Sequence, residues 1–194
     1  KLFRVKNNIF FVSDTHFNHT KLCYGEEIHF NVPRKYEFVP EMNEDIICQW
    51  NKTVTNNDTV IFLGDFLMGT PIKDTYTTFW NFYDQLNKGK FIWIIGNHDH
   101  ILRKKVGDRF EMKSNLKLEC NGIVYTMQHE DYIEKPELLE TLNFEQENVL
   151  IHGHTHSSEK LSTLTYKGMT LQQNNVCWDA WYRPVHISEL NKVQ

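Results

Sequence analysis

An α/β fold with parallel strands is what this sequence predicts, on two observations. Continuous apolar runs rich in β-branched and aromatic residues recur at residues 9–13 (IFFVS), 59–63 (TVIFL), 91–95 (FIWII) and 149–152 (VLIH). Runs without polar alternation suit strands covered on both faces. The stretches between the first three runs have helical periodicity, and a strand–helix–strand–helix–strand order is the pattern of a parallel sheet.

In chain order, the strand at 9–13 is followed by residues 24–38 (YGEEIHFNVPRKYEF), the least regular stretch and an expected long loop. Residues 40–54 place Met42, Ile46, Ile47, Trp50 and Val54 on one helical face, and Pro40 suits a first helical turn. Residues 74–86 carry a similar stripe of Phe79, Phe82, Tyr83 and Leu86. Beyond residue 95 the character changes. LKLECNGIVYTMQH holds Asn121-Gly122, a two-residue hairpin signal, and LSTLTYKGMTLQQN repeats the idea at Lys167-Gly168. Antiparallel strands are expected there, with a helix between Lys135 and Leu142. There is no internal repeat, low-complexity tract or Gly/Ser-rich linker, so 194 residues are expected to form one domain, 1–194.

Composition narrows the function classes. Hydrophobic residues make up 40% of the chain, enough for a core and unlike a disordered segment. A formal net charge of −4 argues against holding duplex DNA by bulk charge, leaving small substrates or locally gripped nucleic acid. The four cysteines, Cys23, Cys48, Cys120 and Cys177, lie far apart without a C-x-x-C pair, unlike a disulfide scaffold or thiolate zinc site. The apolar run near the start is too short for a signal-peptide core, and no segment approaches twenty apolar residues. The expectation is a cytoplasmic protein without a membrane segment. Its oligomeric state is not specified by the sequence.

The chemistry gathers where the strands stop. After the successive strands come Asp14, His16 and His19; Asp65; Asn97, His98, Asp99 and His100; His129; and, in GHTH, His154 and His156. Ligand sites in α/β sheets collect at the carboxyl ends of strands. In an extended backbone residues two apart point the same way, so Asp14 and His16 can reach one centre, as can His154 and His156. Gly64, Gly96 and Gly153 stand beside these residues and permit close backbone approach. Carboxylate oxygen and imidazole nitrogen without thiolate point to Mn²⁺, Fe, Zn²⁺, Ni²⁺ or Mg²⁺. Donors in this number are too many for one ion and suit two ions sharing a carboxylate.

The ordered set DTH, GD, GNHD, an isolated His and GHTH resembles the metallophosphoesterases of the calcineurin-like superfamily. DTHFNH, EMNEDII, HGHTH and NVCWDAWYRPV resemble its compact members from bacteria and their phages. The resemblance implies two mixed β-sheets packed face to face, a βαβαβ core and flanking helices. It puts Asp14, His16, Asp65 and His156 on one ion and Asp65, Asn97, His129 and His154 on a second, with Mn²⁺ the leading metal. It gives His98 phosphate contact and protonation of the leaving group, with Asn97 also at the phosphate. The reaction implied is phosphoester hydrolysis by a metal-bridging hydroxide.

One departure stands out. Many relatives read GD-x-x-D-R-G, with the later Asp orienting a histidine and the Arg holding phosphate, whereas this chain reads GDFLMG with Met68 and Gly69 there. His19 and Arg34 are the candidates for the missing phosphate contacts. Asp99 is a candidate to orient a histidine, with an exposed or helix-capping role equally open. His152 reads as a supporting or core histidine, and His29, His100 and His186 as ordinary ones. Trp178 and Trp181 read as packing, with base stacking as the alternative. The missing arginine favours a phosphodiester (nucleotide, cyclic nucleotide or nucleic-acid end). A phosphomonoesterase acting on nucleotides or small phosphates, and a non-catalytic metal-binding scaffold for a protein partner, are the other readings.

Overall fold

The computed structural model describes residues 8–23, 34–120, 122–142 and 146–190. The apolar runs of the first half become parallel strands β1 (Ile9–Val12), β2 (Thr59–Phe62) and β3 (Lys90–Ile94). Helices α1 (Val39–Thr53) and α2 (Thr75–Tyr83) connect them, and α3 (His100–Val106) leads to a short fourth parallel strand, β4 (Met112–Lys113). The second half supplies β5 (Asn115–Cys120), β6 (Ile123–Gln128), β7 (Glu147–His152), β8 (Leu161–Tyr166) and β9 (Met169–Asn175). A short helix α4 (Trp178–Trp181) then leads to β10 (Val185–His186), which pairs antiparallel with β1. The sheets run β10-β1-β2-β3-β4 and β5-β6-β7-β9-β8.

Side-chain alternation along each strand assembles the layers. In β1, Ile9 and Phe11 turn inward and meet Met127, Val149 and Ile151 of the second sheet, forming the core between the sheets. Phe10 and Val12 turn the other way, into a second core with Met42, Ile46 and Trp50 of α1 and Phe79 of α2. Both faces of the first sheet are therefore covered, which is why its strands read as unbroken apolar runs. Behind the second sheet, Leu150 and Leu171 pack against Tyr132, Leu139 and Leu142 in a smaller cluster.

Some local expectations are refined. The first helix starts at Val39 with Pro40 in its first turn, and Met42, Ile46, Trp50 and Val54 are all buried. The second ends at Tyr83, so Leu86 lies past it but still packs in the core. Residues 135–142 hold a 3-10 helix, Pro136–Thr141, rather than an α-helix. The second sheet is mixed: β5–β6 and β8–β9 are antiparallel, but β7 pairs parallel with both β6 and β9. The hairpin at Lys167-Gly168 has positive φ at both residues, 47° and 80°, the type I′ signature. Asn121 of the other hairpin and residues 24–33 of the expected loop lie outside the described residues. No described helix is long and apolar enough to cross a membrane.

Candidate metal centre

Backbone hydrogen bonds stitch the segment past β1 to that past β2, and the segment past β7 to that past β6. Asp14 N–H donates to Gly64 O at 2.9 Å, His16 N–H to Asp65 O at 3.0 Å, and Gly153 N–H to His129 O at 2.9 Å. The geometry needs three glycines to do this, and at Gly64, with φ of 94°, a Cβ would stand 2.4 Å from Gly96 N. A Cβ on Gly96 would stand 2.2 Å from Asp65 Oδ1, and one on Gly153 2.4 Å from Asp14 Oδ2. Asp14, His16, Asp65, His154 and His156 all have positive φ, 54°, 47°, 62°, 66° and 48°. Non-glycine residues avoid that region at a cost of order 1–3 kcal/mol each, and such strain collects at functional sites. This corrects the sequence argument for convergence. Asp14 and His16 do meet, but through left-handed backbone, while His154 and His156 diverge into different groups.

The side chains form two donor groups. In the first, His16 Nε2 lies 3.7 Å from Asp14 Oδ1 and 3.2 Å from His156 Nε2, and His156 Nε2 lies 3.8 Å from Asp14 Oδ1. In the second, His129 Nε2 lies 2.9 Å from Asn97 Oδ1 and 3.2 Å from His154 Nδ1, which is itself 3.1 Å from Asn97 Oδ1. Asp65 Oδ2 stands between them, 3.6 Å from His16 Nε2 and 3.4 Å from His129 Nε2. Ligands about 2.1 Å from a metal are themselves roughly 3.0–3.4 Å apart in octahedral or tetrahedral arrangements, which these spacings approach. Both carboxylates divide their oxygens. Asp14 Oδ2 accepts from His154 N–H at 2.9 Å, and Asp65 Oδ1 from His98 N–H at 2.8 Å, leaving Asp14 Oδ1 and Asp65 Oδ2 to the interior. Asp14 Oδ1 is buried and accepts no hydrogen bond among the described residues, as expected of an atom reserved for a cation.

Electrostatics agree with a cation site. Burial opposes ionisation of Asp14, but the His129 charge and the contacts of His16 and His156 hold its carboxyl well below the usual range. Asp65 is likewise lowered, against burial, chiefly by His129. Burial would depress His129, yet the Asp14 and Asp65 carboxylates push it up to about 10. The inward-facing carboxylates thus favour positive charge beside them, which a divalent ion held here would supply in place of protons.

Each group is braced from behind. His129 Nδ1–H donates to Leu63 O at 2.6 Å. His156 Nδ1 lies 3.0 Å from Asp179 Oδ2, and Asp179 is gripped by Arg34 through Nε to Oδ1 at 2.9 Å and Nη2 to Oδ2 at 3.0 Å. Asp99, wholly buried, accepts from the backbone N–H groups of Asp65, Phe66 and Gly96 and from Trp93 Nε1. It therefore orients no histidine and caps no helix by side chain; it locks the GD and GNHD turns together. Burial, then the Asp65 charge, push it up to about 6 against those donors.

The seven proposed ligands thus fall into two adjoining groups. His98 sits at their edge, half-buried, with its ring centroid 5.6 Å from that of His16. His19 packs edge-on against His16 at 5.4 Å, and burial followed by the charges of His16 and Arg34 pushes it down to about 3, so its imidazole is neutral. Arg34 is a correction. Instead of facing a phosphate it is fully buried, its donors directed at Asp179, Thr15 O and Asp14 O. His152 is buried, its Nδ1 2.9 Å from Gly153 O, in the supporting role expected. Trp178 is fully buried and cannot stack on a base, while Trp181 is covered by Lys160. Sequence reasoning missed Asp179. Its one signal was a carboxylate in an otherwise apolar, aromatic stretch, where a buried acid requires a cationic partner.

Comparisons with known proteins bear on this site. The family model for calcineurin-like phosphoesterase matches residues 8–188. An uncharacterized protein of Methanocaldococcus jannaschii is 33% identical over 153 residues, covering 77% of this chain and 70% of that protein. Among solved structures, a protein of unknown function from Aquifex aeolicus superposes with a TM-score of 0.65 at 22% identity, covering 94% of this chain and 97% of that one. The phosphoesterase YfcE from E. coli aligns with a TM-score of 0.43 at 14% identity, over 87% of this chain and 78% of its own.

Proposed function

This chain belongs to the calcineurin-like phosphoesterase family and is a metal-dependent phosphoester hydrolase; from that premise we propose that it hydrolyses phosphodiesters using two divalent ions. The observation that carries the reading is Asp65 Oδ2, set 3.6 Å from His16 Nε2 and 3.4 Å from His129 Nε2, within reach of both donor groups. Asp14, His16, Asp65 and His156 would hold one ion, and Asp65, Asn97, His129 and His154 the other. Such a pair, with Mn²⁺ the leading candidate, supplies an activated water and neutralises the charge that builds on the phosphoryl oxygens.

The chain's own groups do the rest. His98, held by its backbone on Asp65 Oδ1, presents a half-buried imidazole at the edge of the centre. Protonating the leaving oxygen from there contributes about 10²–10⁴-fold. His19, kept neutral, is a donor for a phosphoryl oxygen. A diester is favoured because Arg34 is committed to Asp179, and Met68 and Gly69 stand where many relatives carry Asp and Arg. A monoanionic diester needs less cationic compensation than a dianionic monoester. Nucleotides, cyclic nucleotides and nucleic-acid ends all offer such a bond.

The test is turnover of metal-stripped protein reloaded with Mn²⁺, on bis-nitrophenyl and mono-nitrophenyl phosphate. Faster cleavage of the diester is expected. A preference for the monoester would overturn the diester reading.

A further inference from the structure

Arg34 and Asp179 belong to neither donor group, yet they tie together the two segments that build the first one. Arg34 donates through Nη1 to Thr15 O at 2.8 Å and through Nη2 to Asp14 O, so it holds the backbone that carries Asp14 and His16. Its Nε and Nη2 also engage both oxygens of Asp179, and Asp179 Oδ2 meets His156 Nδ1 at 3.0 Å. Side-chain exposure is 0% for Arg34 and 8% for Asp179, so this bidentate pair is shielded from water and salt.

We propose that the Arg34–Asp179 pair is the positioning device of the first ion site. It fixes His156 as the Nδ1–H tautomer, with Nε2 aimed at Asp14 Oδ1, and anchors the Asp14–Thr15 backbone to the same carboxylate. This rests on reading Asp14, His16 and His156 as an ion site. A carboxylate behind a ligating imidazole sets its tautomer and raises its basicity, and loss of such a partner typically costs 10–100-fold in metal affinity.

His156, Cys177 and Asp179 also converge closely enough to suggest a metal site of their own. Arg34 argues against that, because a cation there would meet a guanidinium already bonded to both Asp179 oxygens. Cys177, whose Sγ lies 3.2 Å from Asp179 Oδ2, is an additional donor to the same oxygen.

The experiment is calorimetric titration of metal-stripped protein with Mn²⁺, without substrate. Wild type is expected to show two sites. Asp179→Asn keeps the shape but removes the charge, and should weaken one site about 10–100-fold while leaving the other. Asp179→Glu should recover part of the loss. A folded Asp179→Asn with two wild-type sites, or with both sites weakened equally, overturns the inference. Removing one member of a buried pair strands the other's charge, so the wild-type protein supplies an independent test if that variant does not fold. With ¹⁵N-labelled histidine and Zn²⁺ bound, His156 should show a protected Nδ1–H; an Nε2–H tautomer overturns the proposal. A wild-type chain that binds no Mn²⁺ overturns the ion-site reading, and the inference with it. Two wild-type sites with an indifferent Asp179→Asn overturn the inference alone.

Discussion

The two donor groups are built from similar residues but backed differently. Behind the Asp14–His16–His156 group stands an ion pair sunk in the interior, and His156, its most open member, has 12% side-chain exposure. The group around His129 leans on a backbone carbonyl, Leu63 O, while Asn97 is exposed and His154 half-buried. A carboxylate partner strengthens an imidazole ligand more than a neutral carbonyl does, and burial slows exchange with solvent. The first group should therefore hold its ion tightly, and the second should be the labile, substrate-facing one.

The largest effect comes from the residue the groups share. Asp65→Asn should abolish turnover and lower bound metal at both sites; an active Asp65→Asn enzyme would remove the two-ion scheme and the comparison with it. Next is metal removal. A chelator should strip the protein in two phases, with activity lost in the first and one equivalent of metal still retained, read by metal analysis against time. Loss of both equivalents in one phase would show the groups to be alike.

His98→Ala should touch neither group, retaining both metals while slowing the reaction about 10²–10⁴-fold for poor leaving groups and far less for good ones. Equal slowing of both kinds would remove the case for His98 as proton donor. The smallest effect on activity should follow a change remote from the centre. Leu150→Ala, behind the second sheet, should cost about 2–5 kcal/mol of stability, read as a drop of roughly 2–4 °C in Tm per kcal/mol. Its kcat should be unchanged, and a fall in kcat would mean that the outer cluster helps to hold the centre.

Much of the architecture was legible because it is local. Unbroken runs such as TVIFL identify strands covered on both faces, and Phe79, Trp50 and Met42 fall into the core their periodicity assigned. Polar residues at strand ends gave away the donors for the same reason, since a strand that stops at Asp or His delivers that side chain to the sheet's edge. The short elements were not legible. Two-residue strands such as β4 and β10 hold too little pattern, and nothing local distinguishes a parallel β6–β7–β9 arrangement from an antiparallel one.

By itself, then, the sequence determined the α/β class, the strands, and which aspartates and histidines collect at their ends, because periodicity and chain direction are properties of neighbouring residues. Only the tertiary structure decided how those residues divide between two groups and what braces them. Arg34 and Asp179 are 145 residues apart, and the charge of Arg34 reads equally as a solvated side chain or a phosphate contact. Asp99 read equally as a histidine's partner and as an exposed or capping residue until the fold brought three backbone N–H groups and Trp93 to its oxygens. The physical reason is common to both. A buried charge takes its role from whatever neutralises it, and that partner is chosen by which distant segments the packing brings together.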